Sequence, residues 1–233
     1  MIMEYRKVIK AVFKRRPNRF VAYAEINGRE EIVHVKNTGR CRELLVEGCT
    51  IYLAEADNPN RKTRYDLIAV EKIRQNKSPL LINMDSQIPN TVTEEWLRKG
   101  MLFSENAVIK REVTYRNSRF DFYINDGERK IFLEVKGVTL EKEGIAMFPD
   151  APTQRGVKHI NELMKCIDDG YEAYILFVLQ MKETSAFQPN DKMHPEFGEA
   201  LRRAEKAGMN IIAMNCSVSC SEIAINKPVQ IIL

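Results

Sequence analysis

The sequence predicts an α/β protein in two parts, a small N-terminal β-barrel followed by a mixed-sheet α/β domain. Short alternating strands parted by turn residues fill the first eighty or so positions, and amphipathic helices alternate with strands only beyond residue 90. Charge divides the same way. Residues 1–85 hold 17 Lys and Arg against 11 Asp and Glu, whereas residues 86–233 hold 19 against 21. The expected units are 1–87 and 88–233.

Taken in order, the chain opens on a basic segment, with Arg6, Lys7, Lys10, Lys14, Arg15, Arg16 and Arg19 against the single acid Glu4. "FVAYAEING" and "EEIVHVKN" flank Asn27-Gly28, a pair that accepts the positive φ angles of a tight hairpin. "CTIYLAEA", "TRYDLIAVEKI" and "PLLINMD" bring the strands to five, which suits a small barrel of the OB kind. In "TVTEEWLRKG", Thr91 and Glu94 read as a capping box and Gly100 as the helix stop. "MLFSENAVIKREV" is expected to continue as a second helical segment, and residues 118–137 form a hairpin. "VTLEKEGIAMFPDAPTQRG" is a strand or long turn. The helix from Thr153 to Gly170 carries Val157, Ile160, Leu163, Met164 and Ile167 as its apolar stripe. "YEAYILFVLQ" is a central strand, and "HPEFGEALRRAEKAG" a third helix. "MNIIAMNCSV" and "PVQIIL" close the chain, the last at a sheet edge open to a second copy and hence to a homo-oligomer.

Composition, 44% apolar and 29% charged, is that of an ordinary globular protein. No apolar run reaches the ~20 residues of a membrane span, and no apolar segment of signal-peptide type opens the sequence. A cytoplasmic protein without membrane partners is expected. Five scattered cysteines suit reduced thiols rather than a disulfide framework, and Cys216 with Cys220 has no second pair to complete a zinc site.

The hairpin "SRFDFYINDGERKIFLEVKG" holds the chemistry. Alternation puts Phe120, Phe122, Ile124, Ile131, Leu133 and Val135 on one face, and Arg119, Asp121, Tyr123, Phe132, Glu134 and Lys136 on the other. A turn centred on Asp126-Gly127 sets Asp121 opposite Phe132 and diagonal to Glu134, about 7–8 Å away. Two carboxylates on one sheet face suit Mg²⁺ or Mn²⁺, hard cations that take oxygen ligands. A lysine two residues after the second acid returns to the same face, where it can orient water or offset charge on phosphorus. Glu105, if helical and facing the same cleft, adds a third acid. A hairpin with one wet face also needs no function at all, and that reading stands beside the first.

Basic residues suggest a phosphate-bearing partner. In the helix from Thr153, Arg155 and His159 share a stripe with Lys158 adjacent, near free backbone N–H groups that favour anions. An ordinary solvated face accounts for the same charges.

Three blocks, "FVAYAEINGREEIVHVKNTGRCREL", "NSRFDFYI…FLEVKGVTL" and "GVTLEKEGIAMFPDAPTQRGVKHINEL", resemble the sugar fermentation stimulation protein A family over nearly the whole chain. The resemblance implies an OB-like domain, a restriction-endonuclease-like domain similar to the PD-(D/E)XK nucleases, and DNA binding without marked sequence preference, with a regulatory role in sugar metabolism. It assigns Asp121 and Glu134 as metal-binding acids, Lys136 as the catalytic lysine and Glu105, more loosely, as the helical acid. It makes Asn37, Thr38, Gly39, Arg40 and Arg42 candidates for a ligand-facing loop, beside the basic Arg15, Arg16 and Arg19. The superfamily's proline is absent, since Arg119 and Phe120 precede Asp121. Three readings follow: a Mg²⁺-dependent DNA nuclease, a DNA-binding regulator without turnover on the same fold, and a protein whose basic segment is incidental. Whether the DNA is single- or double-stranded is open.

Overall fold

A computed structural model describes residues 3–37, 39–56, 58 and 61–233. Its front part contains β1 (Met3–Glu4), β2 (Val8–Arg15), β3 (Val21–Ile26), β4 (Arg29–Val35), β5 (Thr50–Glu55), β6 (Tyr65–Lys72) and β7 (Leu80–Asn83). Helix α1 (Ile88–Arg98) leads to β8 (Val108–Tyr115), β9 (Ser118–Asp126), β10 (Arg129–Val138), β11 (Leu140–Lys142) and β12 (Ile145–Phe148). Then come α2 (Gln154–Asp168), β13 (Glu172–Leu179), β14 (Ala186–Pro189), α3 (Pro195–Lys206), β15 (Asn210–Val218), β16 (Glu222–Pro228) and β17 (Gln230–Ile231).

Strands β4-β3-β2-β5-β6 form a closed five-stranded barrel, an OB-like arrangement, because His34 and Val35 pair in parallel with Asp66 and Leu67. Strand β2 lies inside what reads in sequence as a basic segment. Ala11 and Phe13 enter the barrel core while Lys10 and Val12 face water, so its charge sits on the outer side of an ordinary alternating strand. Strand β7, the fifth strand expected from sequence, lies outside the ring, pairs with β6 and makes one further bridge from Ile82 to Met181 of the second unit. Phe13, Val33, Ile51, Leu53 and Leu67 fill the barrel, and Met181 from the second unit packs with them.

The second unit is built on a seven-stranded sheet, β1-β16-β15-β13-β10-β9-β8, parallel at its centre and antiparallel on both flanks. Both faces are covered, as the continuous apolar run of β13 requires. Helix α1 is wedged between barrel and sheet, where Val92, Trp96 and Leu97 share a core with Ala54, Ile68, Leu133 and Tyr174. On the other face α2 and α3 pack Ile160, Leu163 and Phe197 against Phe177 and Phe187. A small third sheet, β11-β12-β14-β17, flanks them, with β17 at its edge. Strand β1 departs from the front unit and pairs antiparallel with β16, Met3 opposite Ile223.

Two local expectations change. Helix α1 begins at Ile88, with Pro89 in its first turn, so Thr91 is interior and no capping box forms. Proline is suited to that position because its missing N–H would have no helical partner there. Residues 101–107 are turns and 108–115 form β8 rather than a second helix, since they pair along β9. Helix α2 starts as the sequence indicates, with Gly156 N–H donating to the Thr153 hydroxyl at 3.0 Å. Four cysteines are buried and Cys220 is exposed, all as free thiols. Among the described residues no helix is long and apolar enough to cross a membrane.

Candidate functional site

The hairpin closes at Asp126 opposite Arg129, with Gly127 and Glu128 as the turn pair. Gly127 has φ +67 as the first central residue and Glu128 is not left-handed, which is the pattern of a type II′ turn. The register is therefore two residues along from the one expected for an Asp-Gly centre: Phe122 faces Leu133, and Asp121 comes level with Glu134 instead of Phe132. A shift of two leaves the parity of the paired residues, and so their predicted faces, unchanged.

Phe120 is the exception. Its ring lies 5.4 Å from Phe132 and 6.0 Å from His159, on the α2 side, whereas Phe122 joins the core under α1. The strand turns over at Asp121, where one side-chain oxygen accepts the Val135 N–H at 2.8 Å and regular pairing ends. The other oxygen accepts from Asn90 Nδ2 at 2.8 Å. Gly137 makes that contact possible. A Cβ there would lie 2.6 Å from Pro89 Cγ and 2.7 Å from Gln180 Oε1, so only glycine lets the first turn of α1 settle over β10 and bring Asn90 to Asp121. Burial, with the nearby Glu134 charge, raises the Asp121 carboxyl above the usual carboxylate range.

Glu134 is 3% exposed. Its Oε1 accepts from Lys136 Nζ at 2.5 Å and from His159 Nδ1 at 2.5 Å, while Oε2 is buried without a hydrogen-bond partner. Arg155 Nε donates to His159 Nε2 at 3.4 Å, which leaves the ring proton on Nδ1, facing Glu134. Burial pushes the Glu134 carboxyl up, but Lys136 and His159 outweigh it and hold the group below its ordinary value. The site is thus an ionised carboxylate beside a second, harder-to-ionise one, with a lysine on the first.

The basic residues of the barrel end divide into two sets. Arg15 is paired with Glu30 through two bonds of 2.5 and 2.8 Å and lies over the Tyr23 ring. Arg16 donates to the carbonyls of Arg19, Asn37 and Arg40 at 2.7, 2.7 and 2.9 Å, tying the loop after β2 to the loop after β4. Asn37 is likewise engaged, donating to Met84 O at 2.9 Å and accepting from Gly39 N at 2.7 Å. The side chains of Arg19, Arg40 and Arg42 are exposed and have no partner among the described residues. They edge a depression of about 700 Å³ that reaches Gly39. Gly39 also borders a cleft of about 310 Å³ between the units, whose far wall includes Gly137, Pro149 and Gln180. A Cβ at Gly39 would lie 2.6 Å from Asp150 Oδ2, so any larger residue would have to displace that side chain where the loop meets the second unit.

Two family models match this chain: the SfsA N-terminal OB domain over residues 15–76 and the Sugar fermentation stimulation protein RE domain over residues 87–222. The chain belongs to the sugar fermentation stimulation protein (SfsA) family. A homolog from Desulfitobacterium hafniense is 58% identical over 217 residues, 93% of this chain and 92% of the relative. One from Clostridium beijerinckii is 52% identical over 231 residues, 99% and 100% of the two chains. The solved structure of Pyrococcus furiosus SfsA in complex with Ca²⁺ is 32% identical with a TM-score of 0.88, covering 100% of this chain and 99% of that one.

Within this SfsA chain the structure brings Asp121, Glu134 and Lys136 together and leaves Glu105 out. Glu105 is exposed in a turn, beside Ser104, whose hydroxyl and N–H are held by Asp126 at the turn end of the hairpin. His159, expected on a phosphate-binding surface, is instead buried against Glu134, because the same helical stripe that carries it faces the sheet. Arg15, Arg16 and Asn37, expected to face a ligand, are consumed by protein partners. Arg155 and Lys158 remain at the surface, Lys158 donating to Asn117 O at 2.8 Å. Thr38 lies outside the described residues. Asn90 and Gly137 escaped the sequence reading. The only local hints were a proline just before Asn90 and a glycine just after Lys136.

Proposed function

We propose that this protein binds DNA through its barrel and hydrolyses phosphodiesters at Asp121, Glu134 and Lys136 with the help of a divalent cation, Mg²⁺ or Mn²⁺. The observation that carries the reading is the buried, unpartnered Oε2 of Glu134, level with Asp121 on the neighbouring strand. An orphaned carboxylate oxygen in the interior is costly unless something completes it. Oxygen-only donors suit a hard cation, and the P. furiosus relative was solved in complex with Ca²⁺. Asp121 and Glu134 would hold the ion; when bound, it would polarise the scissile phosphate and lower the pKa of a bound water. This chain's own residues set the stage. Asn90 and the Val135 N–H fix Asp121, His159 braced by Arg155 fixes Glu134, and Lys136 supplies positive charge where charge on phosphorus would develop.

One observation favours a second reading, a DNA-binding regulator of sugar metabolism without turnover. Lys136 and His159 already bond to Oε1 of Glu134. Calorimetric titration of Mg²⁺, Mn²⁺ and Ca²⁺ into wild type and Glu134→Ala, with plasmid and single-stranded DNA cleavage scored in the same buffers, separates the two. The first reading expects binding and cleavage that both vanish in the variant. A wild type that binds DNA but neither metal nor cuts establishes the second. A cytoplasmic location belongs to either reading.

A further inference from the structure

The barrel end holds an aromatic side chain that the reading above does not use. Phe20 is 57% exposed, the most exposed of the phenylalanines among the large hydrophobic residues at the surface. It follows Arg19 directly, and its carbonyl accepts the Val35 N–H at 2.8 Å, which sets it at the mouth of the β3–β4 pair next to the loop that carries Arg40 and Arg42. Packing does not account for this placement, since the ring belongs to none of the three buried cores. Arg16 holds the two loops together by their carbonyls, so that Phe20, Arg19, Arg40 and Arg42 are carried on one fastened unit.

We infer that this unit is a grip for a single-stranded polynucleotide, with a base stacked on Phe20 and neighbouring phosphates on Arg19, Arg40 and Arg42. The inference rests on the nucleic-acid-binding reading above and names its substrate class. Duplex DNA presents phosphates outward and keeps its base faces stacked on one another, so an exposed phenyl ring finds nothing to stack on. A single strand offers a free π-face at every nucleotide, and exposed aromatics set among cations are how sequence-tolerant single-strand binders hold it. The route beyond the grip is narrow as well. Gly39 borders both the depression beside Arg42 and the interunit cleft, and that cleft, at about 310 Å³, has Gly137 in its far wall, one residue from Lys136.

The test is fluorescence anisotropy in EDTA, which removes any metal contribution, with labelled oligothymidylate, oligouridylate and a blunt duplex of mixed sequence. Wild type, Phe20→Ala and Phe20→Tyr are compared; the position is exposed, and circular dichroism checks that each variant is folded. Wild type binds the single strands more tightly than the duplex. Phe20→Ala loses about tenfold on the single strand with duplex affinity unchanged, and Phe20→Tyr restores it. The tighter of the two single strands identifies the polynucleotide as DNA or RNA. Tighter binding of the duplex, or a Phe20→Ala variant that holds single strands like wild type, overturns the inference and leaves the barrel as a DNA binder. Failure of all three probes to bind overturns the reading beneath it too.

Discussion

Arg19, Arg40 and Arg42 stand in solvent at one end of the barrel, whereas Glu134, Lys136 and His159 are enclosed between the sheet and α2, each bonded to another member of the group. Both regions are densely charged, and the difference lies in the partner. An exposed guanidinium keeps its hydration and can be lost without disturbing the fold, which leaves it available to a partner. A buried carboxylate survives only while its hydrogen-bond donors are in place, and the three groups stand or fall together. Charge alone, as counted from the sequence, does not separate these cases.

The largest effect should come from breaking the enclosed group. Lys136→Met leaves Glu134 ionised, buried and supported by His159 alone, and should cost about 3–5 kcal/mol of stability in urea unfolding. A loss under about 1 kcal/mol would mean that His159 suffices and that the lysine is free for chemistry. Arg16→Ala should follow, at about 2 kcal/mol, because three carbonyls of two loops, that of Asn37 partly buried, lose a charged donor. It should also weaken DNA binding although its guanidinium faces the protein. Arg40→Ala supplies the contrast: stability within about 0.5 kcal/mol of wild type, with a shallower salt dependence of DNA affinity. Equal destabilisation by the two arginine variants would erase the distinction between staple and free cation.

A third cluster lies between these extremes and sharpens the comparison through pH. Where β4 meets β6, Asp66 accepts from Arg61 at 2.7 and 3.0 Å and lies 2.9 Å from His34 Nδ1. Burial pushes the Asp66 carboxyl up, but the Arg61 and His34 bonds outweigh it and leave the group below its ordinary value. A depressed folded value means that its contribution is fully present above the unfolded pKa, about 3.9, and is lost as pH falls through the folded one. Melting curves of Asp66→Asn should therefore lie below wild type at pH 6 to 7 and converge with it in acid, roughly below pH 3. A gap that persists unchanged into acid would mean that the aspartate contributes through packing.

Much of this was legible in the sequence, and the limits have physical causes. The parity of the hairpin follows from alternation, so the shared face of Glu134 and Lys136 could be read directly, as could α2 from its Thr153 cap to Gly170, whereas the turn-over of the strand at Asp121 could not. The register could not, because Gly127 can serve as the second central residue of a type I′ turn or the first of a type II′ turn, and two residues of pairing depend on the choice. The earlier hairpin shows the other outcome: Asn27 and Gly28 both have positive φ, at +51 and +76. Strand β2 was hidden because its outward half is cationic. The fates of Arg15, Arg16 and Asn37 were decided by carbonyls and carboxylates far away in sequence, and so was the pairing of Asn90 with Asp121. Local pattern carries no information on such partners.

The pairing of β1 with β16 has a consequence for how the molecule comes into being. Met3 and Glu4 lie in the second sheet, and the chain then leaves it to build the whole barrel and returns, so that the barrel is in effect a long excursion between two visits to the same sheet. During synthesis the barrel can close as soon as β6 has emerged, while Met3 and Glu4 must wait for a strand made almost at the end of the chain. An extension fused ahead of Met3 would therefore bear on the unit that holds Glu134, by way of Glu95 of α1, which accepts the Met3 N–H at 3.0 Å, and would leave the barrel beside it untouched.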